Sequence, residues 1–338
     1  MKKVLILLMT VSLFMSCDSD STSNENNLAN GAKIGSTFDS MREKALIEMN
    51  QGGTIHYSPD QGAVYKLRNG TTIHIPPHSI VTKDGSQIDG PITIDYIEIF
   101  RKEQMAIANT PTMGQVPDSE QKDLLVSGGE FYIDIKFNGE QVEIIAPVKV
   151  NIATSNSEAD PNGMNLWNGE TDNNTNNFTW NLADPNDLIF EGSGPVFGGE
   201  GGAGGFYDVL IKNSTSLGWC NIDKFAQFPD PKTRIRIIVP NGFDQTNSSV
   251  YLAVRNQPNM LARFDMFYPS SNVFEEHYGL VPVGLDCHLI FVGEQNGQYV
   301  YSILSTAIGN NATYSIPSGS LITASSYHQV ENAISILP

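Results

Sequence analysis

The heptapeptide Phe131-Tyr132-Ile133-Asp134-Ile135-Lys136-Phe137 decides the fold class of this chain. Apolar residues hold every second position from Phe131 to Phe137 and alternate with residues that include Asp134 and Lys136. Successive side chains of a β-strand point to opposite faces, so this alternation describes a strand with one buried and one polar face. Asn138-Gly139 follows at once, and such a pair is typical of a tight hairpin turn. The stretch therefore predicts a strand of an antiparallel sheet.

The same period of two recurs on both sides of this strand. The further runs are Ile73 with Ile75; Ile92, Ile94 and Tyr96; Val148, Val150 and Ile152; Ile235, Ile237 and Val239; Val250, Leu252 and Val254; and Leu285, Cys287, Leu289 and Phe291. After Tyr96 the apolar phase slips to Ile97 and Ile99, which predicts a β-bulge. Short strands with glycine turns and little helix predict a mainly β protein built from two antiparallel β-sandwich or barrel-like domains.

Two segments have helical spacing instead. Behind a capping Ser36 or Thr37, apolar residues recur every three or four positions until Gly52-Gly53, which predicts a short N-terminal helix. The apolar positions of this helix are Phe38, Met41, Ala45 and Met49. Val330, Ile334 and Leu337 share one face in the same way, which predicts a second helix at the end of the chain.

The N-terminus has the pattern of an export signal. Lys2 and Lys3 precede an apolar run from Val4 to Met15, which is too short to cross a bilayer because a spanning helix needs about 20 apolar residues. Phe14-Met15-Ser16-Cys17 resembles the lipobox of bacterial lipoproteins. That resemblance implies cleavage before Cys17 and acylation of its thiol.

The residues after Cys17 are polar and offer almost nothing to bury, so they predict a disordered tether. Asp18 and Asp20 resemble the signal that sends lipoproteins of Bacteroidota to the outer face of the outer membrane, although the periplasmic face remains an alternative. Asp20-Ser21-Thr22 and Asp39-Ser40-Met41 resemble the O-glycosylation motif of that phylum. The resemblance implies Ser21 and Ser40 as attachment sites.

Composition divides the chain into five parts. Residues 1–16 are the predicted lipoprotein signal peptide, and residues 17–35 are the lipidated tether. Residues 36–153 are predicted to form the helix and the first β-domain, and residues 206–338 the second β-domain. Between them, residues 154–205 are rich in Asn, Asp and Gly and predict a connecting segment.

The formal net charge of −17 excludes whole classes of partner. Nucleic acids need clustered Lys and Arg to neutralise phosphates, so we expect no nucleic-acid binding. Attraction to anionic lipid by charge is excluded in the same way. We therefore expect the protein to contact the membrane through the lipid on Cys17.

Three segments resemble a known family. They are Gly70-Thr71-Thr72-Ile73-His74-Ile75-Pro76, Leu125-Val126-Ser127-Gly128-Gly129-Glu130-Phe131-Tyr132-Ile133 and Leu217-Gly218-Trp219-Cys220-Asn221-Ile222-Asp223. The first two resemble the β-domain of Bacteroidota surface lipoproteins, which is distantly similar to ZU5-type β-sandwiches. The third resembles a Gly-Trp-x-Asn-x-Asp signature that follows in such proteins. The resemblance implies a ZU5-like sandwich followed by a second β-domain, and contacts with other proteins rather than catalysis.

The sequence contains no Gly-x-Ser-x-Gly, Ser-x-x-Lys or His-Glu-x-x-His motif. His74 and His78 have the spacing of metal ligands on a helix, but Pro76-Pro77 excludes a helix there, so we expect an exposed pair. His288 alternates with Cys287 and is expected on an exposed face. The glycines before Phe206 lead into a strand rather than a helix, so they do not form a phosphate-binding loop. We expect no cofactor and no metal centre.

Two features leave alternatives open. The Asp160–Asp187 stretch offers oxygen atoms to calcium but lacks the glycine and closing glutamate of an EF-hand, so a solvated loop held by Trp167 and Trp180 is favoured over an irregular calcium site. Trp219 is expected to fill a core, whereas an exposed position would suit a sugar ring.

Cys220 and Cys287 are the two thiols that remain when Cys17 is lipidated. An exported protein meets oxidising conditions, so a disulfide between them is one alternative. Two separate buried thiols are the other, since free cysteines commonly pack as small apolar residues.

Together these features predict an outer-membrane lipoprotein that faces the cell surface and acts as a non-catalytic binding or scaffold subunit, with an outer-membrane protein as its partner. The alternative is a surface protein that binds glycans or hydrolyses them with carboxylates from its loops, since paired carboxylates leave no local signature.

Overall fold

The computed structural model describes residues 37–172, 177–191 and 205–338. The predictions for the signal peptide and the tether, including Cys17 and Ser21, lie outside these ranges. Within them the protein is mainly β, as predicted. No helix in the described ranges is long and apolar enough to cross a membrane.

Three α-helices are present in the described residues: α1 (Thr37–Met49), α2 (Lys102–Ala108) and α3 (Tyr327–Ser335). The predicted N-terminal and C-terminal helices are confirmed as α1 and α3. Helix α2 was not predicted, because six of its seven residues are buried and it therefore lacks a polar stripe. Asn109 ends α2 in the left-handed conformation, with φ of 60°.

Short strands make up most of the remaining described chain. In chain order they are β1 (Gly53–Tyr57), β2 (Ala63–Lys66), β3 (Thr72–Ile75), β4 (Ile80–Val81), β5 (Gly90–Ile99), β6 (Met113–Gln115), β7 (Lys122–Phe137), β8 (Glu140–Gln141), β9 (Glu143–Ile144), β10 (Val148–Ala153), β11 (Asn165–Thr171), β12 (Phe178–Leu182), β13 (Leu188–Glu191), β14 (Phe206–Ile211), β15 (Gly218–Phe225), β16 (Lys232–Ile238), β17 (Ser248–Val254), β18 (Leu261–Arg263), β19 (Met266–Tyr268), β20 (Val273–Pro282), β21 (Asp286–Gln295), β22 (Gln298–Ala307), β23 (Thr313–Ser315) and β24 (Ile322–Ala324).

Four larger sheets and one two-stranded ribbon, β4-β9, arise from the described strands. Sheet I has the order β1-β5-β7-β15-β11-β12-β6, with β8 attached to β7, and β6 pairs back with β7, so that part of it closes like a barrel. Sheet II is β13-β14-β10-β3-β2, sheet III is β18-β17-β21-β22-β24, and sheet IV is β19-β20-β16-β23. Most pairs are antiparallel, as predicted, but β12 with β6 and β16 with β23 are parallel.

Three hydrophobic cores lie between these sheets. The first core lies between sheets I and II and includes Ile94, Ile133 and Val150. The third core lies between sheets III and IV and includes Leu252 and Phe291. The central core joins sheet I to sheet III and takes in all three described helices. Each sandwich therefore uses the back of one of its sheets to pack against the other sandwich.

The central core explains why the predicted bulge in β5 is absent. The register of β5 with β7 runs without a shift from Ile92 opposite Phe137 to Ile99 opposite Glu130. Ile92, Ile94 and Tyr96 face the first core, whereas Ile97 and Ile99 face the central core. The apparent slip of phase arises because both faces of this half of the strand are buried.

Strand pairing changes from one sandwich to the other after Phe225, not near residue 205. Strand β14 pairs with β10 and β13, and β15 pairs with β7 and β11, so the segment 206–225 completes the first sandwich. The segment predicted as a connector also contains β11, β12 and β13. Its large aromatic residues, Trp167 and Trp180, are buried in the central core.

Candidate functional site

Two of the segments that resemble the lipoprotein family lie side by side in sheet I. In the pairing of β7 with β15, Asn221 stands opposite Glu130 and Asp223 stands opposite Ser127. The register shifts between Asn221 and Asp223, beside Gly128 and Gly129. We call Ser127, Gly128, Gly129, Glu130, Asn221 and Asp223 the signature junction.

Polar side chains of the signature junction bind one another. The Ser127 hydroxyl donates to Asn221 Oδ1 at 2.9 Å, and Asn221 Nδ2 donates to Asp223 Oδ2 at 2.6 Å. The Gly129 N–H donates to Ser127 Oγ at 3.0 Å. The Trp167 indole N–H donates to the backbone oxygen of Asp223 at 3.0 Å. The network therefore fixes the irregular crossing of β7 and β15.

Residues of the second sandwich and of the segment after α2 form hydrogen bonds with this network. Asn259, between β17 and β18, accepts from the Ser127 N–H at 3.1 Å and donates from Nδ2 to Ser127 O at 2.7 Å. The Thr110 hydroxyl donates to Glu130 Oε2 at 2.6 Å. The signature junction therefore links the two sandwiches at the central core.

Both acids of the signature junction are fully enclosed. Glu130 is 1% exposed and Asp223 is 0% exposed. Burial raises the pKa of Glu130 well above its usual value, and the nearby Asp223 raises it further. Burial also raises the pKa of Asp223 well above its usual value, although bonds from Ser127, Asn221 and the Gly128 N–H act in the opposite direction. Among the described residues, Glu130 Oε1 has no hydrogen-bond partner.

The outer face of sheet IV is the second notable region. Two cross-strand rows form it: Met266, Glu275 and Arg236, and Tyr268, Val273 and Ile238. We call these six residues the outer sheet face. Ile238 and Tyr268 are each 40% exposed and Met266 is 36% exposed. Arg236 donates to both oxygens of Glu275, at 3.2 and 3.0 Å.

An open cleft of about 410 Å³ lies between the turn after β4 and the turn after β7. Seven of the nine residues that line it are polar, among them Lys83, Asp84, Asn138 and Glu140, and Phe137 lies beside them. Hydrogen bonds from Thr82 and then from Ser86 lower the pKa of Asp84. The cleft can therefore offer charges and hydrogen bonds to a polar ligand.

A pair that sequence reasoning missed connects β20 with the residue before β19. His277 Nδ1 contacts Asp265 Oδ2, and the neighbouring Glu276 is buried. Burial raises the pKa of Asp265, with His277 acting against it, and raises the pKa of Glu276 to about 7. The run Glu275-Glu276-His277-Tyr278 was a local signal, but the partner Asp265 is found only once the hairpin is known.

The structure describes most of the residues singled out by the sequence. Trp219 is buried in the central core, as expected. Cys220 and Cys287 are free thiols that lie in the first and third cores respectively, which fits the alternative of separate buried thiols. Burial raises the pKa of each to about 12. Ser40 is half-buried on α1, and its glycosylation stays a prediction.

The histidines divide into two groups. His74 and His78 are exposed, as expected. The expectation for His288 was wrong, because its side of β21 faces the end of the chain and it is 3% exposed. His288 Nδ1 lies 2.8 Å from Ser305 Oγ, and Nε2 lies 3.3 Å from the backbone oxygen of Pro338.

Within residues 37–172, 177–191 and 205–338, no group of three or more His, Cys, Asp and Glu side chains could hold a metal ion. Four residues of the Asp160–Asp187 stretch, 173–176, lie outside those ranges. Comparison with known proteins finds no matching family model and no matching curated protein.

Proposed function

We propose that this protein is a lipid-anchored outer-membrane subunit that binds another membrane protein and performs no catalysis. The observation that carries the proposal is the outer sheet face, where three large apolar side chains are exposed on β16 and β19, the two strands that flank β20. Clustered exposed apolar residues are typical of interaction surfaces, and Tyr and Arg are enriched at the residues that dominate binding energy. Tyr268 and Arg236 supply both types on this face.

The anchor is the lipid proposed for Cys17. The tether of residues 17–35 would allow the folded part of the protein to extend away from the membrane surface. Metabolic labelling with a palmitate analogue should label the wild-type protein and leave Cys17→Ala unlabelled. Label on the variant would contradict the anchor. Protection of the wild-type protein when intact cells are treated with protease would contradict exposure at the cell surface.

The positions of the acids support binding rather than catalysis. A catalytic acid has a raised pKa and must reach a substrate. Glu130 and Asp223 have raised pKa values but are enclosed between the two sandwiches. Asp84 lines an open cleft, but its pKa is lowered. The family resemblance adds to this proposal because ZU5-like domains serve in protein contacts.

Co-purification from detergent-solubilised outer membranes tests the docking surface. The wild-type protein should carry one partner at a constant ratio. Ile238→Asp and Tyr268→Ala should lose that partner, whereas Val64→Asp should keep it, because Val64 is 47% exposed on β2 of the other sandwich. Equal recovery with all three variants would contradict docking through the outer sheet face.

The open cleft favours a second candidate function, the binding of a surface glycan. Its volume of about 410 Å³ lies in the range of small-ligand sites, and Asp, Asn and Glu side chains suit sugar hydroxyls. Calorimetry against an oligosaccharide panel should detect binding that Lys83→Ala and Glu140→Ala remove. Turnover of the same panel that Asp84→Asn abolishes would instead indicate a glycan hydrolase.

A further inference from the structure

Hydrogen-bond donors are divided unequally between the two acids of the signature junction. Asn221 and the Gly128 N–H both donate to Asp223, and such bonds favour the charged form of a carboxyl group. Glu130 receives one bond, from the Thr110 hydroxyl to Oε2 at 2.6 Å, and Oε1 has no partner in the part of the chain that the structure describes. Burial raises the pKa of both acids, so a proton stays on the pair. The unequal donors place that proton on Glu130.

Other buried acids have the partners that Glu130 lacks. Glu98 accepts hydrogen bonds on both of its carboxyl oxygens, one of them from the Thr71 hydroxyl at 2.6 Å. Asp208 receives Lys149 Nζ at 2.8 Å. Within residues 37–172, 177–191 and 205–338, no Lys, Arg or His forms an ion pair with Glu130. A charge at this position would therefore be buried without compensation, which is costly.

We propose that Glu130 keeps a proton in the folded protein and that this proton makes the contact between the two sandwiches depend on pH. The proton lies on Oε1, because Oε2 already accepts from Thr110. The negative charge of Asp223 favours this state, since two carboxylates at one buried site repel each other.

The groups that face Glu130 contain one charge among the described residues. Its cross-strand neighbours, Ile99 on β5 and Asn221 on β15, are uncharged. Asp223 is the charged group that acts on Glu130, and it raises the pKa of that acid. Tyr207 on β14 stays neutral, because burial and then nearby acids that include Asp223 raise the pKa of its hydroxyl. Titration of Glu130 would therefore change the charge of the junction from one to two negative units.

The donor to Glu130 belongs to a segment that joins the two sandwiches. Two residues after Thr110, the Thr112 N–H donates to Leu261 O at 2.8 Å, and Thr112 Oγ1 accepts from the Leu261 N–H at 2.9 Å. Leu261 begins β18 of the second sandwich. Because Glu130 is 1% exposed, water reaches a charged carboxylate only where these contacts separate. Loss of the proton should therefore loosen the contact between the sandwiches.

Thermal unfolding tests the sign of this effect. The raised pKa of Glu130 means that its contribution to stability is complete below its unfolded pKa of 4.5 and is lost as pH rises. From about pH 6 to about pH 9, the melting temperature of the wild-type protein should fall by about 5 °C more than that of Glu130→Gln, whose amide is neutral throughout. Glu276 titrates in both proteins, so its effect cancels. Equal falls in the two proteins would overturn the proposal.

Tryptophan emission shows whether the contact itself responds. All three tryptophans of the chain, Trp167, Trp180 and Trp219, are buried in the central core between the sandwiches. Emission of the wild-type protein should move to longer wavelength over the same pH range as water enters, and it should return when acid is added back. This measurement needs no variant. Unchanged emission of the wild-type protein would overturn the proposal.

A change at Thr110 assigns the transition to Glu130. The Thr110 hydroxyl stabilises the charged carboxylate, so Thr110→Val should move the midpoint of the emission change upward by about one pH unit. Thr71→Val is the matched control, because Thr71 donates to the buried Glu98 at the same distance of 2.6 Å, and its midpoint should match that of the wild-type protein. An unchanged or lower midpoint in Thr110→Val, or an equal upward shift in Thr71→Val, would overturn the assignment.

Discussion

Replacing Trp219 by alanine removes a large aromatic residue that is 8% exposed in the central core. Its ring packs edge-on against Tyr132 and Phe178, with centroids 5.5 and 6.3 Å away. Truncation of a buried tryptophan costs about 3–5 kcal/mol, and each lost aromatic pair accounts for about 0.5–1.5 kcal/mol. These terms overlap, so we expect Trp219→Ala to lower the free energy of unfolding by about 4 kcal/mol.

Urea unfolding followed by far-UV circular dichroism measures this change without depending on tryptophan emission. Ile336→Ala is the control because Ile336 is 82% exposed, and its effect should stay within about 0.5 kcal/mol. A loss below about 1 kcal/mol for Trp219→Ala would refute the packing argument. Unchanged stability with lost ligand binding would instead make Trp219 a contact residue.

Three further predictions follow from burial and backbone conformation. Thiol counting in denaturant without reductant should find Cys220 and Cys287 free, and a count of zero would establish a disulfide. Gly129→Ala should destabilise by about 1–3 kcal/mol, since φ is +143° and the new Cβ would lie 2.7 Å from a ring carbon, while Gly319→Ala should be neutral. Burial raises the pKa of Glu276 from 4.5 to about 7, so its contribution to stability is full below pH 4.5 and is lost as pH rises to 7. The free energy of unfolding should fall by about 3 kcal/mol across that window, and Glu276→Gln should flatten the fall; an identical pH profile for the variant would contradict this assignment.

Period-two alternation was enough to predict the strands that face a single core. In β10, Val148, Val150 and Ile152 face the first core, and in β21, Cys287, Leu289 and Phe291 face the third core. Alternation failed where both faces are covered, as in the second half of β5, and helical spacing failed in the same way in α2, where six of seven residues are buried. Where the second face is also buried, it carries apolar residues as well, and the alternation of apolar with polar residues that predicts a strand is lost.

The candidate sites could not be predicted because they depend on the pairing of strands, which a single sequence does not reveal. Glu130 and Asp223 are 93 positions apart in the printed sequence and meet only because β15 returns to β7. His288 was misjudged because its side of β21 is covered by the chain terminus. The resemblance did identify the two segments, but their mutual contact required the register of sheet I.

Photo-crosslinking in intact cells tests the central claim, docking through the outer sheet face, most directly. A photoreactive phenylalanine analogue at Ile238 would lie on the outer sheet face, and the same residue at Val64 would lie on an exposed strand of the other sandwich. The proposed function predicts one discrete crosslinked membrane protein from position 238 and none from position 64. Equal crosslinking from both positions, or none from position 238, would contradict it.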